Sequence, residues 1–306
     1  MGLLSDLFGY LLNILYNVFN NYGIAIILFS IILRIILVPI TISQQKSMKK
    51  TSKIQKETQE IQKKYKNNQE KLNQEIMELY KREKMNPFSG CLSAIIQIVI
   101  ILSVFWLVSQ PLTHMKHVQE LDIYKEYEKR VEESSNKSSY KEIAIINAAE
   151  SDYQEITNNL QNDNIEDREQ LENKKKELEN LRLNMDFIGL DLSKVPTQSL
   201  NDYKVYIIPI LYVISSFISI KMTTNMQNDK DKNEKESVKE GDSNELEAMQ
   251  SMNKSMSYMM PIMSVSIALI APLGLALYWL VSNVLMIIER IIIQKIMNSK
   301  EEKENA

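Results

Sequence analysis

Three groupings in this 306-residue chain could do chemistry by residue type and spacing. The first is a lone guanidinium. Residues 30–41 read SIILRIILVPIT, with Arg34 among apolar neighbours. A permanent cation in such a setting binds an anion or faces water inside a protein. The second is a set of polar residues inside other apolar runs: Ser93 and Gln97, then Ser215, Ser216 and Ser219, then Ser282, Asn283 and Glu289. In lipid such groups pair helices or line a wet path. The third is HMKHVQE, which places His114, His117 and Glu120 three residues apart. On one helical face that spacing is a weak zinc candidate. Catalytic alternatives are thin, because these are the only two histidines and no Gly-rich phosphate loop is present. No Ser/His pair and no Asp pair lies within the apolar runs. The single cysteine, Cys91, excludes an intrachain disulfide. The expectation is a non-enzyme without cofactor or resident metal.

The elements that must position these residues follow from hydropathy. Five apolar runs, at 22–42, 91–110, 205–222, 256–272 and 273–294, approach the length needed to cross a bilayer. About twenty residues at ~1.5 Å rise span a hydrocarbon core of ~30 Å. The fold class expected is all-α: a polytopic membrane protein of five transmembrane helices. Residues 1–21 place Leu4, Leu7, Phe8, Leu11, Leu15 and Val18 at helical spacing, with Asp6, Asn13, Asn17 and Asn20 on the other side. With no basic residue ahead of them, they read as an interfacial amphipathic helix rather than a cleaved signal.

Between the runs the chain is strongly polar. Residues 43–90 place Ile54, Ile61 and Tyr65 on one helix and Leu72, Ile76 and Leu79 on a second, with a turn at Asn67-Asn68, which predicts a helical hairpin. Residues 43–89 carry twelve Lys/Arg against six acidic residues, whereas 111–204 carry thirteen against twenty. By the positive-inside rule the hairpin is cytoplasmic and 111–204 is an extended extracytoplasmic loop. Within that loop Leu171, Leu178, Leu181 and Met185 sit at heptad-like positions and predict a helical element. Residues 223–255 read as a flexible cytoplasmic loop and 295–306 as a cytoplasmic tail. The topology expected is N-terminus outside and C-terminus in the cytoplasm. No basic, aromatic-interleaved surface points to nucleic acid.

Arg34 is expensive in its run. A central arginine costs roughly 2.5–3.5 kcal/mol on an insertion scale, against roughly 0.3–0.6 gained per Leu, Ile, Val or Phe. It lies too far from the cytoplasmic end of the run to snorkel. Ser30 and Thr41 fall on its helical face. The one acidic residue within the runs, Glu289, falls near a cytoplasmic edge beside Arg290 and reads as too shallow to neutralise it. The expectation is an unmatched cation that awaits water or a partner's negative charge.

Several segments carry a resemblance. GIAIILFSIILRIILVPIT (23–41), YKREKMNPFSGCLSAIIQ (80–97), MDFIGLDLSK (185–194), YIIPILYVISSFISIKMT (206–223) and PLGLALYWLVSNVLMIIER (272–290) resemble the YidC-type membrane protein insertases of bacteria, in the family's order. The resemblance implies a five-span core in the bacterial cell membrane, with a hydrophilic groove open to cytoplasm and lipid. It puts the groove arginine on Arg34 and the second-span glutamine on Gln97; Ser30, Thr41 and Ser93 would line the same groove. Ser216, Ser282, Asn283 and Glu289 are groove or helix-pairing candidates. The implied partners are nascent membrane proteins, membrane lipids, the Sec translocon for larger clients, and the ribosome or signal recognition particle pathway through the hairpin and tail. Two departures stand out. No cysteine is available for N-terminal lipidation, and residues 115–185 make the outer loop longer than in the family's short forms. The alternatives are an assembly chaperone without autonomous insertion and, on Arg34 alone, a small-anion transporter.

Overall fold

The computed structural model describes residues 2–65, 68–83, 89–134, 139–161, 167–231 and 266–304. Most of them are helical. Helix α1 is Gly2–Phe19, α2 Tyr22–Lys64, α3 Gln69–Arg82, α4 Ser89–Ser109, α5 Asp122–Glu133, α6 Lys141–Asn159, α7 Arg168–Leu178, α8 Ile207–Asp231 and α9 Leu273–Glu304. A two-stranded antiparallel hairpin, Asp186–Phe187 with Leu190–Asp191, is the only sheet among the described residues. Four helical stretches are long and apolar enough to cross a membrane: Gly2–Phe19, Tyr22–Ser43, Tyr203–Met222 and Leu273–Ile293. A shorter apolar stretch, Ile95–Ser109, lies within α4. Of the fourth expected span, 256–272, residues 256–265 fall outside the described residues and 266–270 are helical.

The first apolar run and the first arm of the polar hairpin are one continuous helix. α2 passes through Pro39 and continues to Lys64. Proline removes one internal hydrogen bond, but the helix on both sides of it has enough bonds to carry through. The return arm α3 begins at Asn68, whose side chain accepts the Lys71 N–H at 3.0 Å and caps the helix. Tyr65 donates to Glu75 at 3.0 Å across the turn, and Arg82 pairs with Glu57 farther along. Leu79 is the buried apolar anchor of the pair. α8 likewise runs on as helix to Asp231, beyond the apolar run that ends at Met222. The part of the expected flexible loop at 223–231 is therefore helical, and 232–255 lies outside the described residues.

At the other end of the bundle, residues 111–206 form a folded cap. Its core holds Tyr127, Ile143, Ile145, Ile146, Ala149, Leu178, Leu181 and Met185, all buried. The predicted heptad positions Leu178, Leu181 and Met185 thus face a core, and Leu171 packs against it. Helix α7 stops at Leu178, however, so the four do not share one helix.

Segment 184–194 ties cap to bundle. The Tyr22 N–H donates to the Asn184 carbonyl at 2.9 Å, which satisfies an otherwise orphaned donor at the start of α2. Asn21 reaches the Asp186 carbonyl at 2.6 Å and also caps α2 by accepting the Ile24 N–H. The Leu273 and Gly274 N–H groups donate to the Lys194 and Leu192 carbonyls, both at 2.9 Å. The same segment therefore caps the first turns of α2 and α9. Gly23 is required here, since a Cβ at that position would lie 2.5 Å from the Phe187 ring.

Candidate functional site

Arg34 and Glu289 meet. Arg34 Nε lies 2.8 Å from Glu289 Oε2, with side-chain exposures of 15% and 7%. This corrects the expectation of an unmatched cation. Both helices start at the cap. By helical rise Arg34 lies ~18 Å along α2 from Tyr22, and Glu289 ~24 Å along α9 from Leu273. The ~6 Å offset is a distance that an extended arginine side chain covers. Sequence reading measured the depth of Glu289 against the backbone of Arg34 and not against its guanidinium. The attraction is worth roughly 4 kcal/mol at an effective dielectric of ~20, before desolvation. The contact lacks hydrogen-bond alignment: Arg34 Nε and both Glu289 oxygens are cut off from water and have no hydrogen-bond partner. Arg290, the next residue on α9, is half-buried beside this pair.

The other candidates divide into two groups. Asn283 Nδ2 donates to Ser215 Oγ at 3.0 Å and to Ser216 Oγ at 3.1 Å. These bonds join α9 to α8, so Asn283 and Ser216 are used in helix pairing. Ser30 is buried and donates to the Ile26 carbonyl of its own helix at 2.7 Å. Thr41 does the same toward the Leu37 carbonyl at 3.3 Å. Both hydroxyls spend their proton within α2, which leaves only their lone pairs for anything that approaches Arg34. Gln97 and Ser282 are half-buried. The Ser93 side chain lies outside the described residues.

The spacing of His114, His117 and Glu120 does not become a metal site. The chain leaves α4 at Pro111 and makes a π-turn over Leu112–Lys116, and His117 follows at φ 54° in the left-handed region. The three residues therefore share no helical face. His114 is buried against Asp6 at 2.7 Å, His117 stacks on Tyr10, and Glu120 is exposed beside Lys125. No cluster of three metal-ligating side chains occurs among the described residues. The π-turn is also where α1 docks. A Cβ on Gly9 would lie 1.7 Å from the His114 carbonyl oxygen, so only glycine permits this approach.

A carboxylate that sequence reading passed over holds this junction. Glu142, buried on α6, accepts the Leu112 N–H at 2.6 Å and the Thr113 N–H at 3.1 Å, and also bonds the Thr113 hydroxyl. It thus caps the first turn of the π-turn, where orphaned donors and the helix dipole favour a negative charge. Burial nevertheless pushes its carboxyl above the usual range, and the bonds from Thr113 and Leu112 offset this only in part. Nearby, Lys116 donates to the Glu179 and Arg182 carbonyls, and burial with the Arg182 charge lowers it to about 8.

Comparison with known proteins identifies the family. The family model for the 60Kd inner membrane protein matches residues 14–301. The chain belongs to this family. Proteins named membrane protein insertase YidC are similar over about a third of the chain. The one from Fusobacterium nucleatum is 41% identical over 104 residues, covering 34% of this chain and 51% of the relative. That from Clostridium perfringens is 44% identical over 92 residues, 30% and 39% respectively. That from Buchnera aphidicola is 46% identical over 97 residues, 32% and 18%. The aligned stretches thus cover about a fifth to a half of these relatives. Family membership and the apolar helices together make this a multi-pass bacterial membrane protein.

Proposed function

We propose that the protein is a membrane protein insertase whose clients are nascent membrane proteins. The supporting observation is Arg34: a cation in the middle of a membrane-length helix, 15% exposed, in a member of a family whose similar proteins are named insertases. In this reading a groove beside Arg34 opens toward the α2–α3 hairpin, which lies in the cytoplasm, and toward lipid. Arg34 attracts acidic residues in the leading segment of a client. Gln97 and the lone pairs of Thr41 keep the path polar. The client's apolar stretch then passes into lipid by hydrophobic transfer.

The hairpin's charged faces suit recruitment of the ribosome or signal recognition particle pathway, and cooperation with the Sec translocon belongs to larger clients. α1 lies in the outer interface with Leu3, Leu7, Tyr10, Ile14 and Val18 toward lipid; all five are strongly exposed and form one stripe.

Reconstitution in liposomes with an acidic-tailed, single-span client tests the reading. Arg34→Ala is expected to lower insertion by about tenfold, roughly one lost ion pair, and Arg34→Lys to retain part of it. Unimpaired insertion by the alanine variant removes Arg34 from the mechanism. Crosslinking to the client without any insertion by the unaltered protein replaces the insertase with a holding chaperone.

A further inference from the structure

The contact between Arg34 and Glu289 differs from the other polar contacts in the bundle. Asn283, on the same helix as Glu289, donates from Nδ2 to two serine hydroxyls of α8. Glu289, by contrast, has both oxygens cut off from water and neither in a hydrogen bond, and Arg34 Nε shares that state despite the 2.8 Å approach. A buried ion pair that serves as a strut is completed by hydrogen bonds at its remaining atoms, because each unmet atom carries a desolvation cost. Here opposite charges meet without an aligned hydrogen bond at Glu289 or at Arg34 Nε. Such a pair is easily exchanged, since a better-aligned carboxylate gains what the resident one lacks.

We propose that Glu289 is a resident competitor for Arg34, displaced by the carboxylate of a client, and that it sets how acidic a client must be. This rests on the insertase reading above. The idle protein keeps its guanidinium neutralised by its own α9. An incoming carboxylate must replace Glu289, and for a time two carboxylates share one guanidinium and repel. A single acidic residue on the client is therefore a weak competitor, and several clustered acidic residues win by raising the local concentration of carboxylate. Glu289 is thus a specificity-determining residue that selects clients with clustered acidic tails.

The test uses the full-length protein in liposomes and three versions of one single-span client, with zero, one or three carboxylates in a tail that carries a photocrosslinker. The unaltered protein is expected to capture the three-carboxylate tail well and the one-carboxylate tail poorly. Glu289→Gln is expected to raise capture of the one-carboxylate tail by about threefold or more, toward that of the three-carboxylate tail. Glu289→Asp, which keeps the charge but shortens the reach, is expected to fall between them and serves where the glutamine variant does not fold. An unchanged dependence on carboxylate number in Glu289→Gln overturns the proposal. So does an equal loss of capture for all three tails. Recovery of acidic-tail capture by the charge swap of Arg34→Glu with Glu289→Arg also overturns it, because only a structural strut is indifferent to which helix carries which charge. Insertion of none of the clients by the unaltered protein counts against the insertase reading, while crosslink yields still report the exchange separately.

Discussion

At the scale of single residues, this chain places charge where it is costly and then satisfies it from a distance in sequence. Glu142 shows the pattern most clearly. Its oxygens accept two backbone N–H groups some thirty residues earlier, and Tyr124 donates to it at 3.4 Å. Glu142→Ala leaves those buried donors unmet and is expected to cost about 1–3 kcal/mol in the unfolding of the cap. Glu142→Gln keeps an acceptor in place and is expected to stay within about 1 kcal/mol of the unaltered protein. The pH dependence separates the two further. Because burial raises the folded pKa of this carboxyl above its reference value of 4.5, its stabilising contribution is full below that value and declines as pH rises through the folded pKa. Thermal unfolding followed from pH 4.5 toward neutrality should therefore show the glutamine variant gaining on the unaltered protein. A constant difference across that range contradicts the assignment. Sequence reading singled out Arg34 from one charge in one apolar run. It missed Glu142 because a cap whose partners lie on another element leaves no local signature, and it misjudged Glu289 because backbone depth is not guanidinium depth.

At the scale of elements, the apolar runs at 22–42, 205–222 and 273–294 were readable as helices because hydrophobic periodicity is local, whereas junctions were not. α2 crosses the expected boundary at residue 42 without a break, since neither Pro39 nor the polar residues that follow supply a capping or left-handed stop. The docking of α1 was hidden for a related reason. Of its predicted apolar residues Leu7 and Val18 are exposed while Phe8, Leu11 and Leu15 pack only in part, and the most deeply buried positions are Ser5, Gly9, Leu12 and Tyr16, small or polar at half of them. Ser5 donates to the Ser103 carbonyl at 3.0 Å, and Gly9 lets the helix backbone meet His114. Gly9→Ala is expected to force α1 away from the π-turn and to cost about 1–3 kcal/mol, the usual scale of overpacking. Gly2→Ala, on the same helix with nothing within 4 Å of its Cβ, is the control and should change stability little. Equal unfolding temperatures for the two variants would show that α1 does not dock as described. Asn283→Ala, which removes both bonds from α9 to α8, is expected to cost only about 0.6 kcal/mol, because polar contacts between membrane helices are individually weak.

At the scale of the whole molecule, the first turns of α2 and α9 are tied to residues 184–194 and α1 docks on the π-turn, while the far end of α2 pairs with α3 as a hairpin. The cap segment is acidic, twenty Asp/Glu against thirteen Lys/Arg over 111–204, and its arginines pair within it. Arg182 holds the Glu150 carboxyl below its usual range, and bonds from Arg130 and Tyr127 outweigh burial to do the same for Asp152. The hairpin end is basic, with Lys46, Lys49, Lys50 and Lys53 directly after the apolar part of α2. The positive-inside rule applies to short flanking loops of this kind, and the orientation proposed above puts the hairpin in the cytoplasm and the cap outside. Single cysteines in a Cys91→Ser background test this directly. Ser134→Cys, exposed at the end of α5, should react with a membrane-impermeant maleimide added to intact cells. Gln74→Cys, exposed on α3, should react only after the membrane is opened. The reverse pattern would invert the molecule and put Glu289 on the outer side of Arg34. A client from the cytoplasm would then no longer approach the guanidinium from the side where Glu289 holds it, and the competition between the two carboxylates would lose its geometric basis.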